Sequence, residues 1–178
     1  LVKGYRPDVV VIDKELLRRS WYLLQLERRY PWLIQQSRPQ VEAFGRELHK
    51  FEHEIPYNPT IIQARFVEMI SSFISRSMNS RPVYVTPEIE AEFTTGFQRV
   101  PEGLAFKLVS DTSFHGTDLP GYNVRPFERR GRLEDMMKNL YASSLNSRAA
   151  YYYKSGYFAE SKTAVETAQD VERKLSNQ

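Results

Sequence analysis

The sequence predicts an α/β fold: a small, mainly parallel three-stranded sheet flanked by helices, closed by a helical C-terminal extension. Three observations predict it. Val9, Val10, Val11 and Ile12 are four β-branched residues in succession between Pro7 and Asp13. Such a run cannot alternate faces, so it reads as a strand buried on both sides. Val83 to Thr86, reached after a long helical stretch, supplies the parallel partner that a βαβ unit needs, and Gly103 to Val109 is the third strand candidate. Beyond Arg132 the pattern is helical throughout. The expected organisation is an α/β domain over 1–127 and a helical extension over 128–178 packed on it.

The first helix is expected from about Glu15 to Tyr30, with Asp13 at its N-cap and Pro31 ending it. Leu17, Trp21 and Leu24 form one stripe, with Leu16, Leu23 and Tyr30 beside it. Arg18, Arg19, Arg28 and Arg29 take much of the remaining surface, as a solvated face or as a contact with anionic headgroups. Asp13 also ends the first strand, the place where open α/β sheets bind ligands. No glycine-rich phosphate loop accompanies it.

A second helix is expected from near Pro39, with Ser37 close to the N-cap, to about Glu54 before the Ile55-to-Pro59 break. A third starts after Pro59 and carries Ile62, Phe66, Met69, Ile70, Phe73 and Ile74 at helical spacing, the strongest amphipathic signal in the chain. Asn79 to Pro82 closes it. Residues 87–103, with Pro87, Pro101, Gly96 and Gly103, read as an irregular connection with a short extended piece near Phe97. Ser110 to Phe127 is too long and polar for an ordinary connection, which marks it as functional or mobile. In the C-terminal helix Leu133, Met136, Met137 and Leu140 share a face.

A chain of 178 residues with 41% hydrophobic content can bury a core. Twenty-five basic residues against 22 acidic ones leave a formal charge of only +3, which does not call for a nucleic-acid partner. The absence of cysteine excludes disulfides, thiolate chemistry and zinc-thiolate sites. No run of about 18 apolar residues exists to cross a bilayer. The start at Leu1, without an initiator methionine or signal peptide, reads as the soluble part of a longer polypeptide. The 11 tyrosines and 10 phenylalanines suit aromatic packing or a carbohydrate-contacting surface.

Candidate chemistry is sparse. His49, Glu52 and His53 fit the H-x-x-E-H spacing of an inverted zinc-hydrolase motif, but the helix is charged and Pro56 cuts it short. A third ligand would have to come from Glu68 or farther away, so solvent-facing histidines and no bound metal are expected. In the long loop, Asp111, His115, Asp118 and Arg125 offer an acid–base cluster that matches no established motif. Arg125, Arg129, Arg130 and Arg132, offset by Glu128, form the densest positive patch, fit for a solvated cluster or for phosphate headgroups. The binding candidates are therefore Asp13, Arg18, Arg19, Asp111, His115, Arg125, Arg129 and Arg130. No catalytic residue and no cofactor are assigned.

Two resemblances add to this reading. The stretch from Ala150 to Glu160, AYYYKSGYFAE, with Ala164 and Ala168, resembles one tetratricopeptide helical hairpin. Gly156 permits its turn, and the small alanines allow close helix approach. A lone unit makes no concave groove, so a capping or docking hairpin is expected. The segment Arg6 to Tyr22, RPDVVVIDKELLRRSWY, resembles the region that follows the multi-helix membrane portion in a family of large polytopic membrane proteins, bacterial relatives of a lumenal protein O-mannosyltransferase. RPVYV from Arg81 and VPEGLAFKLV from Val100 resemble the same family's soluble region, in the expected order. The resemblance implies a non-cytoplasmic, periplasmic soluble domain of a membrane-embedded glycosyltransferase-like protein. Its partners would be the transmembrane portion of the same polypeptide and an acceptor protein or lipid-linked sugar. Catalytic acids would lie in membrane loops outside this chain. The alternative is an interaction module that docks a partner through the hairpin and the aromatic surface.

Overall fold

A computed structural model describes residues 8–117 and 131–176. The chain forms two compact units, Leu1–Ser80 and Arg81–Gln178. The 127/128 boundary expected from sequence lies outside the described residues.

The first unit is helical: α1 (Ser20–Arg29), α2 (Pro31–Gln36), α3 (Arg38–Glu52) and α4 (Pro59–Met78). Val9 to Ile12 is not a strand. Val11 is 60% exposed and Val9 38%, so the run is not sandwiched. A β-branched run needs a ladder to become a strand, and the described strands all belong to the second unit. Asp13 still caps: its Oδ1 accepts from the Glu15 and Leu16 amides at 2.9 and 3.1 Å. The turn it opens is a single 3-10 turn over Leu16–Arg18. Arg19, extended at φ −129° and ψ 125°, separates that turn from α1. This break rotates α1 relative to the expected continuous helix. Leu17, Leu23 and Leu26 are buried, and Trp21 and Leu24, expected inward, face out.

Pro31 both ends α1 and starts α2, because proline lacks the N–H that a first-turn residue leaves unpaired anyway. Ser37 precedes α3 as expected, but its hydroxyl makes no cap; fully buried, it accepts from Ser72 Oγ of α4 at 2.8 Å. Asn58 caps α4 by accepting from the Thr60 amide at 2.9 Å. The α4 stripe behaves as its spacing predicts. Phe66, Met69, Ile70, Phe73 and Ile74 are buried, with Phe66 and Phe44 of α3 at 5.1 Å between ring centres. Each such side chain contributes roughly 1.5–3 kcal/mol of burial free energy.

The second unit holds β1 (Tyr84–Val85), β2 (Gln98–Glu102), β3 (Ala105–Val109), α5 (Arg132–Lys154) and α6 (Phe158–Ser176). The sheet order is β1-β3-β2 and both pairings are antiparallel. The mainly parallel sheet expected from sequence is thereby overturned. Val83 to Thr86 pairs with β3 rather than with Val9 to Ile12. The missed strand, β2, carries Pro101, which weakens its strand signature. It lies at the sheet edge, where a proline leaves no ladder bond unmade. Gly103, at φ +62°, opens the two-residue loop between Glu102 and Ala105, a position that favours glycine.

Phe106 and Leu108 of β3, Val100 of β2 and Phe93 of the preceding turn are buried. Arg99 fastens that turn: its guanidinium donates to Thr94 Oγ1 at 2.9 Å and to the Ile89 and Glu90 carbonyls at 2.7 and 2.8 Å. Helices α5 and α6 form a hairpin. Gly156, at φ +83°, caps α5, the Tyr157 amide returning to the Tyr152 carbonyl at 2.9 Å and the Gly156 amide to Tyr153 at 3.1 Å. Ala164 and Ala168 are buried, and Ser161 Oγ donates across to the Ala149 carbonyl at 2.9 Å. Leu133 and Met136, expected on a packed face, are 66% and 58% exposed.

Candidate functional site

In the second unit, the loop after β3 is held against α5 and the hairpin turn. The Phe114 ring stacks on Tyr157 at 3.8 Å and on Tyr151 at 5.7 Å, with Tyr152 tilted at 5.9 Å. Tyrosine hydroxyls satisfy the loop backbone. Tyr151 Oη accepts from the His115 amide at 2.9 Å and donates to the His115 carbonyl at 3.3 Å. Tyr152 Oη accepts from the Thr117 amide at 3.3 Å and donates to the Thr117 carbonyl. Turned so that both its atoms are satisfied, the Gln98 amide donates to the Asp111 and Ser113 carbonyls, each at 3.0 Å.

Beneath the loop lies Arg148, fully buried in α5. Its Nη1 donates to the Thr117 carbonyl at 3.2 Å and to Thr117 Oγ1 at 3.0 Å, and its Nη2 to the Pro101 carbonyl at 3.4 Å. Ser144, one turn earlier, donates to the Leu104 carbonyl at 2.9 Å. One helix face thus holds both the β2–β3 hairpin and the loop.

On the loop's outer side, Asp111 and His115 form an exposed pair, Oδ1 to Nε2 at 2.9 Å. The His115 hydrogen bond, helped by the Ser113 amide, holds the Asp111 carboxyl below its ordinary value of 3.8. A depressed carboxyl stabilises the loop above the unfolded-state value, and the contribution fades as pH falls through the folded one. A carbon-detected NMR titration should place the Asp111 midpoint below 3.8 and return it toward that value in His115→Ala; an unmoved midpoint would contradict the pairing. Chemically the pair can orient an imidazole. Among the described residues no hydroxyl is hydrogen-bonded to the other His115 nitrogen, so no nucleophile is set up there.

The first unit disperses its candidates. Asp13 is a capping residue. Arg18 packs its guanidinium 4.1 Å over the Phe66 ring and reaches Gln63 Oε1 at 3.4 Å. Arg19 stands exposed at the extended break. His49 and His53 lie one turn apart and exposed, ring centres 4.0 Å apart, with His53 Nδ1 on the His49 carbonyl at 2.9 Å. Glu52 instead accepts from the Ser20 amide at 3.1 Å. Among the described residues no group of three His, Asp or Glu side chains could hold a metal. Arg125, Arg129, Arg130 and Asp118 lie outside the described residues.

Of the five expected site residues that are described, Asp13, Arg18, Arg19, Asp111 and His115, the structure pairs Asp111 with His115. The sequence reading missed Arg148 and the tyrosine clasp. A signal existed: Leu145, Arg148, Ala149 and Tyr152 fall at i, i+3, i+4 and i+7, which puts an arginine inside an apolar stripe. Comparison with protein-family models, curated proteins and solved structures finds no match.

Proposed function

We propose that the chain is the non-cytoplasmic soluble domain of a membrane-embedded glycosyltransferase-like protein, accessory to recognition of an acceptor or of a lipid-linked sugar. The observation that carries this reading is the ordered pair of resembling segments. The first covers the Asp13-capped turn and the start of α1, and the second supplies β1, most of β2, and β3. No helix among the described residues is long and apolar enough to cross a membrane, so a membrane portion would lie elsewhere in the polypeptide. Crosslinking in membranes tests the reading. The domain should link to hydrophobic segments of its own polypeptide, and purified alone it should not transfer sugar from a polyprenyl-phosphate donor. Turnover by the isolated chain would overturn the accessory role.

The second reading, an interaction module, is favoured by the hairpin tip. Tyr153 and Phe158, 64% and 63% exposed, meet edge to face at 5.3 Å in solvent, where isolated large aromatics gain nothing from packing. Tyr153→Ser with Phe158→Ser separates the readings. Loss of a captured protein partner with membrane crosslinks intact favours the module.

A further inference from the structure

We infer that the outer face of α1 is a contact surface for an anionic lipid bilayer. The inference rests on the reading of the chain as a domain beside a membrane, and it names what that domain touches.

The helix is amphipathic in an unusual sense. Successive residues are about 100° apart around an α-helix, so Leu23 and Leu26, 8% and 2% exposed, define the inward direction. Trp21 and Arg28, a heptad apart, lie opposite that direction, with Leu24 and Gln25 on either side of them. Trp21 is 54% exposed and Leu24 56%. The side turned away from the core therefore carries an indole and a leucine, with Arg28 in line and Arg29 flanking, both exposed.

The neighbouring carboxylates are occupied elsewhere. Glu27, at the rim of this face, pairs with Arg38 at 3.1 Å; Glu15 pairs with Lys14 at 3.0 Å; Glu52 accepts from the Ser20 amide. No carboxylate among the described residues forms an ion pair with Arg19, Arg28 or Arg29, and the Arg29 guanidinium rests 5.5 Å over the Tyr30 ring.

This combination selects its occupant by chemistry. An indole is suited to the headgroup boundary, where its ring is buried and its N–H stays wet. Arginine stems lie along apolar surface while their guanidinium groups reach phosphates. An acidic protein surface would satisfy the arginines but leave Trp21 and Leu24 without an apolar layer to enter. Two apolar side chains on a ten-residue helix hold weakly alone, so attachment must depend on anionic charge and weaken with salt.

The test uses the chain's two tryptophans. With Trp32→Phe, Trp21 is the only indole and reports its own surroundings. Its emission should shift to the blue, and acrylamide quenching should drop, on phosphatidylcholine vesicles containing phosphatidylglycerol but not on phosphatidylcholine alone. Arg28→Glu with Arg29→Glu should weaken binding at least tenfold, on the order expected when two basic contacts with an anionic surface are reversed. Flotation of the unsubstituted chain against Trp21→Ala makes the same measurement without relying on Trp32→Phe. Equal behaviour on neutral and anionic vesicles, or unchanged binding after charge reversal, overturns the inference. So does a photocrosslinker at position 21 that joins to a membrane helix instead of lipid. The two readings fail separately. A non-cytoplasmic domain indifferent to vesicles sinks only the lipid contact; a vesicle-binding chain found in the cytoplasm sinks only the assignment to a non-cytoplasmic domain.

Discussion

Arg148→Met should destabilise the second unit by about 1–3 kcal/mol and loosen the loop that begins after β3. Two effects oppose each other at this position. Removing a buried guanidinium relieves its desolvation, which alone would favour an apolar replacement of similar length. Against that, the substitution takes the Arg148 donor from the buried Pro101 carbonyl and one of two partners from the Thr117 carbonyl and hydroxyl, which keep Tyr152 Oη. A buried acceptor left without a donor costs about 1–3 kcal/mol, so the Pro101 carbonyl and the weakened Thr117 contacts together outweigh the relief. Arg148→Lys should fall between, since an ammonium cannot span acceptors on both the loop and β2 as a planar fork does. Urea unfolding measures the loss as a lower midpoint at unchanged slope. Faster hydrogen exchange at the His115 and Thr117 amides would show the loop coming free. A midpoint within error of the parent would mean that Arg148 is not the fastening of the loop.

Phe66→Ala should cost the first unit about 3–5 kcal/mol, the range for emptying an aromatic site in a packed core. Phe66 is fully enclosed, packs against Phe44, and carries the Arg18 guanidinium on its face. The loss therefore combines burial, the aromatic pair and a cation–π contact worth about 0.5–1 kcal/mol at a partly exposed site. Arg18→Met removes only the last of these, so a small effect beside a large one from Phe66→Ala is expected in thermal unfolding. Equal losses would place the stability in the arginine rather than in the ring.

What the sequence made legible follows from where local rules act without competition. The α4 stripe and the Gly156 turn depend on spacing within one segment, and both appear where the pattern puts them. The strand assignment at Val9 to Ile12 failed because strand formation depends on a distant ladder, which β-branched composition does not reveal. The helix from Glu15 to Tyr30 was read as continuous, although nothing in Arg19 signals its extended backbone. Across that break Leu17 stays buried while Trp21 and Leu24 face outward, so the expected stripe is split between core and surface. Strand β2 was hidden by Pro101, whose tolerance depends on being at an edge. Of the site, Asp111 and His115 were legible only as two members of a polar loop cluster with Asp118 and Arg125, whereas the tyrosine clasp joins residues more than thirty positions apart.

On the proposed reading, the domain resides on the non-cytoplasmic side of a membrane. The chain contains no cysteine, so one introduced at the exposed Ser143, in the whole polypeptide in its native cells, is a unique reporter within this region. A membrane-impermeant maleimide should label it in intact spheroplasts, with the protein recovered in the membrane fraction. Labelling only after lysis, or recovery of the protein in the soluble fraction, would contradict the proposal.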